Sequence, residues 1–327
     1  MKQTASRPPV HYRDVDAGSA GQRLDNYLLG ALSGVPRSHV YRLIRSGQVR
    51  VNSGRVRAGY RLREGDRVRV PPVYGRRSGS VKTPPNRVRW LADRVLYEDR
   101  RILVLDKPAG MPVHAGTGVD YGCIEALRSL SPGLRAADLV HRLDRGTSGC
   151  LLVAKRRAAL RRLHGLLRTG GMDKRYLTLV RGRWPHGVST VDVSLSTRRR
   201  GGESVVEADP AGKRSLSRFR VVERLGDRAT LVEVVIGTGR THQIRVHAAH
   251  AGHPVAGDPR YGDPRFNAEL SARGLKRMFL HSHALAFDWP DSEETFAVSS
   301  PLPPELTAIL DSLDRTVPAP AGRGRVP

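Results

Sequence analysis

Residues 71–89 put the tightest limit on how this chain can fold. The stretch holds Pro71, Pro72, Gly75, Gly79, Pro84 and Pro85, with five basic residues between 76 and 89, no acid and no apolar periodicity. Prolines stiffen such a segment and like charges extend it, so it has to join two separately packed bodies rather than run through a core. The 327 residues then divide into a disordered segment at 1–15, a small domain at 16–75, a basic linker at 76–92, a larger domain at 93–315 and a disordered tail at 316–327.

Charge narrows the function classes. Lysine and arginine number 56 against 31 acids, a formal net charge of +25, and +14 of it falls in the first 89 residues. A field of that sign and size points to a polyanion, because a small acidic metabolite needs only a few local charges. Membrane-surface binding would need a basic amphipathic helix with bulky apolar residues opposite; none is evident, and aromatics make up 5%. With no apolar run of about 18 residues and no leader-like apolar start, a cytoplasmic protein with no membrane partner is expected. Cys123 and Cys150 are too few for a disulfide framework or a cysteine zinc site.

Periodicity sketches the elements. In the small domain Leu24, Tyr27, Leu28 and Leu32 recur at helical spacing, as do Val40, Leu43 and Ile44 after Ser38, with Gly47 ending the second helix. That helix carries Arg37, Arg42 and Arg45 on its polar sides. Asn52-Ser53-Gly54 is a turn between short alternating strands. In the larger domain, strands are expected at 102–106, 150–154, 176–180, 216–222 and 229–236, and helices at 157–169 and 241–252. Strands and helices do not alternate regularly, so the expected class is α+β, not a doubly wound parallel sheet.

Two stretches carry unusual chemistry. In HRLDRGTSG (141–149), Asp144 lies between Arg142 and Arg145; flanking guanidinium groups would keep it ionised, as a nucleophile or as half of a structural ion pair. Taken alone, a solvated Arg/Asp cluster on a loop explains it better. GTGRTHQIRVH (237–247) gathers Arg240, His242, Gln243, Arg245 and His247 at a strand-to-helix connection. Such a set can bind phosphate or grip a carboxylate in bidentate fashion, or Thr241 can merely cap the helix. His247, His250 and His253, with His281 and His283, have no thiolate or carboxylate pair at ligand spacing, so no metal is expected. A hydrolytic glycosidase would use two carboxylates across the bond. No second carboxylate is expected to accompany Asp144, which disfavours hydrolysis. A P-loop and a complete dinucleotide fingerprint are both missing.

GQRLDNYL at 21–28, PRSHVYRLIRSGQVRVN at 36–52 and GDRVRV at 65–70 resemble an S4 RNA-binding domain. Behind it, HRLDRGTSGCLLVAK at 141–155 and GRTHQIRVHAAHAGHPVAGDPRYG at 239–262 resemble the two hallmark motifs of the RluA superfamily of pseudouridine synthases. LVLDKPAGMPVH at 103–114, DKRYLTLVRG at 173–182 and FLHSHAL at 279–285 match further segments in the same order. The resemblance implies a mixed, largely antiparallel catalytic domain, no cofactor, and isomerisation of uridine in RNA by a monomer. Likeness is greatest to the branch acting at several separate sites of large-subunit (23S) ribosomal RNA. A sister branch with another rRNA target, and a non-catalytic ribosome-assembly protein, are the alternatives.

By the same resemblance Asp144 is the catalytic carboxylate, Arg245 its buried partner and Tyr176 the active-site tyrosine. Leu280 packs under the site, and Arg142 fills the space left in the RNA helix by a flipped uridine. Arg240, His242 and Gln243 are expected to contact RNA in the larger domain, and Arg37, Ser38, Arg42 and Arg45 in the S4 domain. Arg245, if buried, is expected to depend on Asp144 for its counter-charge.

Overall fold

The structure is a computed structural model that describes residues 10–32, 35, 37–73, 85–115, 119, 121–185, 188–200, 203–290 and 292–314. The chain separates into two compact units between Pro84 and Pro85. Among the described residues no helix is long and apolar enough to cross a membrane.

The first unit contains β1 (His11–Asp14), α1 (Leu24–Ala31), α2 (Arg37–Arg45), β2 (Arg50–Val51) and β3 (Arg67–Val70). Its antiparallel sheet runs β1-β3-β2 and closes a core of Leu24, Leu28, Val40, Leu43, Ile44 and Val68. The predicted Asn52-Ser53 turn has both residues at positive φ, 49° and 67°. Two buried acids fix its loops. Asp25 accepts from Arg23 Nε and Nη2 (3.1 and 2.7 Å) and from the Tyr41 hydroxyl (2.8 Å). Asp66 accepts from Asn52 Nδ2, the Tyr60 hydroxyl and the Arg63 amide.

Here the expected boundaries need correcting. Residues 11–14 are not disordered: they pair antiparallel with Val70 to Arg67. All four side chains are exposed, so the edge strand is held by its backbone and leaves no apolar alternation to read. At the other end, residues 85–92 belong to the larger unit, because Val88 and Leu91 are fully buried in its core. The expected disorder at 1–9 and 316–327, and the linker at 76–84, lie outside the described residues.

The second unit begins with α3 (Pro85–Val88), β4 (Val95–Glu98), β5 (Ile102–Lys107), α4 (Cys123–Leu130), β6 (Asp138–Leu139), β7 (Ser148–Ala154), α5 (Arg157–Thr169) and β8 (Met172–Arg181). There follow β9 (Val188–Asp192), β10 (Leu195–Arg200), β11 (Glu203–Ala208), β12 (Leu216–Leu225), β13 (Ala229–Ile236), α6 (Gln243–His250), α7 (Pro264–Ala272), β14 (Leu280–Asp288), β15 (Thr295–Ser299) and α8 (Pro304–Asp314). The main sheet runs β4-β5-β7-β14-β8-β13-β12-β9, with β15 beside β14 and β6 beside β7. Among the described residues only β7 and β14 pair in parallel, over two residues. The fold is α+β and largely antiparallel.

Apolar parity explains why β5 and β7 read as unbroken hydrophobic runs. Leu103, Leu105, Leu151 and Val153 enter one core with α4, while Ile102, Val104, Leu152 and Ala154 enter another with α5. A sheet buried on both faces needs apolar residues at every position. α5 spans the predicted residues, and Gly170 stops it at φ 77°. α6 is shorter than expected.

Candidate active site

Asp144 lies on the loop between β6 and β7, which neighbouring backbone holds tightly. The Lys107 ammonium, fully buried at the end of β5, donates to the carbonyls of Met111 (2.7 Å), Pro108 (2.9 Å) and Arg145 (3.2 Å). Burial pushes its pKa down to about 8. Arg145 Nε donates to Gly110 O (2.8 Å), so this flanking guanidinium turns away from Asp144. Where the loop enters β7, Gly149 has φ 101°, and a Cβ there would stand 2.2 Å from the Ser282 carbonyl. Glycine is therefore required where β7 meets β14.

The guanidinium that reaches Asp144 comes from α6, 101 residues along. Arg245 Nη1 donates to Asp144 Oδ2 at 3.0 Å. Asp144 Oδ1 accepts no hydrogen bond among the described residues, which leaves one carboxylate oxygen open to the cavity. Arg245 also donates through Nε and Nη2 to Asp258 at 2.7 and 2.8 Å, a bidentate pair beside a side chain with 0% exposure. Burial alone would raise the Asp258 carboxyl, but the bonds and charge of Arg245, with the Arg260 and Tyr261 amides, together hold it below the usual carboxylate range. Two expectations change. Arg245 keeps its counter-charge without Asp144, and a second carboxylate does stand in the 239–262 stretch. Asp258 is closed off behind Arg245, so it cannot face Asp144 across a substrate bond.

Asp258 is the residue that sequence reading misses. Its Oδ1 also accepts the amides of Arg260 (2.9 Å) and Tyr261 (3.2 Å), a local turn pattern that GDPRYG does advertise. Tyr261, also missed, has its ring under the Arg245 guanidinium at 5.0 Å and its hydroxyl 2.9 Å from His242 Nδ1. His242 in turn has Nε2 3.9 Å from Asp144 Oδ2. It sits at φ 55°, a left-handed conformation that costs a residue other than glycine on the order of 1 kcal/mol or more. Burial pushes its pKa down, with Asp144 opposing. Thr241 is not the helix cap; His242 occupies that position without a side-chain capping bond.

The remaining expected residues separate into two groups. Arg142, Asp144, Tyr176, Arg240, His242, Arg245 and Leu280 line one cavity with Ile236 and Leu143. Tyr176 and Leu280, 5% and 4% exposed, make its apolar wall. Burial raises the Tyr176 phenol pKa, so the hydroxyl is neutral. Arg142 stands exposed at the rim. Gln243 also borders the cavity, but its amide faces inward: it donates to Leu216 O and Ser217 Oγ and accepts from Thr238 Oγ1 and the Arg240 amide. It locks the turn and has no free group for RNA. In the first unit Ser38, Arg42 and Arg45 are exposed on α2, while the Arg37 side chain lies outside the described residues. Among the described residues no three histidine, cysteine or acidic side chains converge as metal ligands. His247 is instead hydrogen-bonded to Ser215 and Val193, and His281 to Ser148 and Ser300.

Comparison with known proteins agrees with this construction. Residues 101–250 match the RNA pseudouridylate synthase family, and residues 22–68 match the S4 domain. The chain is 49% identical over 311 residues to ribosomal large subunit pseudouridine synthase C of Yersinia pestis, covering 94% of this chain and 97% of that protein. The Escherichia coli (strain K12) protein of the same name is 48% identical over 311 residues, again covering 94% and 97%. Among solved structures, human RNA pseudouridylate synthase domain containing 1 superposes with a TM-score of 0.54 at 29% identity, covering 66% of this chain and 86% of that one. With an S4 domain ahead of a cavity built on Asp144 and Arg245, the chain belongs to the RNA pseudouridylate synthase family.

Proposed function

We propose that this protein isomerises uridines of large-subunit ribosomal RNA to pseudouridine, as its relatives named synthase C are named for doing, and that Asp144 is the acting carboxylate. The reaction breaks the N1–C1′ bond, turns the uracil and joins C5 to C1′; C5 loses a proton and N1 gains one, with no redox change. The carrying observation is that Asp144 offers one unpaired oxygen to a cavity with an apolar wall of Tyr176, Leu280 and Ile236, while Arg245 holds the other at 3.0 Å. A guanidinium fixed by a second acid holds one oxygen of the carboxylate in place without consuming its reactive oxygen.

Tyr176, Leu280 and Ile236 form walls on which a uracil can stack away from bulk water. Exclusion of water favours re-joining of the base over hydrolysis of the sugar carbon. Tyr176, as a neutral phenol, is suited to stacking and to donating or relaying a proton, but not to acting as a phenolate base. Arg142, exposed at the rim, is suited to entering the helix as the uridine leaves it. Monomeric action in the cytoplasm belongs to the same proposal.

Asp144→Asn tests it. Pseudouridines in large-subunit rRNA, mapped chemically in cells whose only copy carries the substitution, should vanish at this enzyme's sites, while purified variant still binds the RNA. Undiminished modification would sink the reading.

A further inference from the structure

Two lysines of the larger unit are buried, and they are treated very differently. Lys107 satisfies its ammonium with three carbonyls at 2.7–3.2 Å. Lys174, 6% exposed, makes no hydrogen bond or ion pair among the described residues. It stands on β8 in the inward-facing row Met172, Lys174, Tyr176, Thr178, all buried, where strand alternation calls for an apolar or internally bonded side chain. An unpartnered charge in such a place is expensive, and replacing it by an apolar residue would ordinarily stabilise the fold. Burial pushes its pKa down to about 8, with no carboxylate opposing.

The space in front of Lys174 is open. It lines a groove together with His141, Arg142, His164 and Arg168, and this groove shares Arg142, Tyr176, Ile236 and Gly239 in its lining with the Asp144 cavity. No acid lines it. His141 Nε2 already accepts the Leu152 amide (3.0 Å), so its ring supplies no acceptor to the ammonium from that side. A Cβ on Gly239 would come within 3.9 Å of Lys174 Nζ, so a longer side chain there would grow onto the amine. Tyr176 lies two residues from Lys174 on the same side of β8, about 7 Å away along the strand.

We propose that Lys174, with Arg142 and Arg168, forms a binding site for one phosphodiester group of the RNA strand beside the flipped uridine. The inference rests on the RNA reading above and adds to it the anchor that holds the strand while the base enters the cavity. An anion in the groove supplies the counter-charge that the fold withholds, and Arg142 links the two sites.

The test compares Lys174→Met and Lys174→Arg with the unaltered protein, using protein-free large-subunit rRNA from cells lacking this protein. RNA affinity is measured against salt concentration, with melting temperature and turnover recorded alongside. Lys174→Met should melt no lower than the unaltered protein and bind RNA about tenfold more weakly. Its log–log salt slope should be shallower by about 0.7–0.9, the share of one neutralised phosphate. Lys174→Arg should keep the slope, and the loss in turnover for the Met variant should fall on KM more than on kcat. If Lys174→Met fails to fold, Lys174→Gln carries the same measurements. An unchanged salt slope in a folded Met or Gln variant overturns the phosphate site. Binding needs no turnover, so a failure of the isomerase reading shows separately, as absence of pseudouridine with the unaltered protein.

Discussion

In the first unit, Arg42 and Arg45 stand exposed on α2, and two of the acids of that unit, Asp25 and Asp66, are turned inward to hold loops. In the second, Arg245 is buried, shared between Asp144 and Asp258, with the Tyr261 ring beneath it. The same residue type thus serves two ends. An exposed guanidinium contributes long-range attraction to a polyanion, is screened by salt, and contributes little to the fold. A buried one is useful only with fixed partners, and its direction then decides where one carboxylate oxygen points. Charge count alone cannot tell these apart.

The contrast is most sharply challenged at Asp144. Because Arg245 keeps its bidentate bond to Asp258, Asp144→Asn should lower turnover on the order of 10⁴-fold while leaving the melting temperature within a few degrees of the unaltered protein. A large loss of stability would mean that Arg245 depends on both acids after all. Asp258→Ala reverses the balance. Removing two of the three carboxylate bonds of a buried arginine should destabilise the second unit by up to about 3–5 kcal/mol, readable as a lowered denaturation midpoint, with activity falling because Arg245, held by Asp144 alone, loses its fixed direction. A variant as stable as the original would refute the buried-pair account.

On the exposed side, replacing Arg42 and Arg45 together by Ala should weaken RNA binding and lower the salt slope by about 0.7–0.9 for each phosphate no longer neutralised. Turnover at saturating RNA and thermal stability should hardly change; a drop in kcat would erase the distinction between docking charge and site charge. The smallest effect is expected at low pH. The side-chain bond from Arg23 lowers the Asp25 carboxyl to about 2, against burial, while the usual value is 3.8. A carboxyl held low stabilises the fold fully above its unfolded value and loses that contribution as pH falls through its folded one. The first unit should therefore lose stability between about pH 4 and pH 2, and Asp25→Asn should flatten that decline in an acid titration followed by circular dichroism. Arg23 is half exposed, which keeps the effect modest.

Much of the molecule is legible in the sequence where the signal is local. The α5 helix follows from Leu160, Leu163 and Leu167 and the glycines that stop it, and the apolar runs at 102–106 and 150–154 lie within β5 and β7. β1 is not legible, because HYRD exposes all four side chains and only its backbone pairs. Residues 85–92 look like linker, since two buried side chains among prolines and arginines make no period. At the site, the motifs single out Asp144, Tyr176, Arg245 and Leu280, and all four line one cavity. Gln243 misleads, because an amide beside arginines looks like an RNA contact until its bonds to Leu216 and Ser217 are seen.

The sequence by itself determined the two-part organisation, the α+β class, the family and the acid at the centre of the site, because periodicity, breakers and motif order are properties of neighbouring residues. Tertiary structure alone decided which arginine meets Asp144, that Asp258 backs it, and that Lys174 is buried without a partner. Those facts depend on Coulomb and hydrogen-bond contacts that act over a few ångströms between segments as much as 101 residues apart.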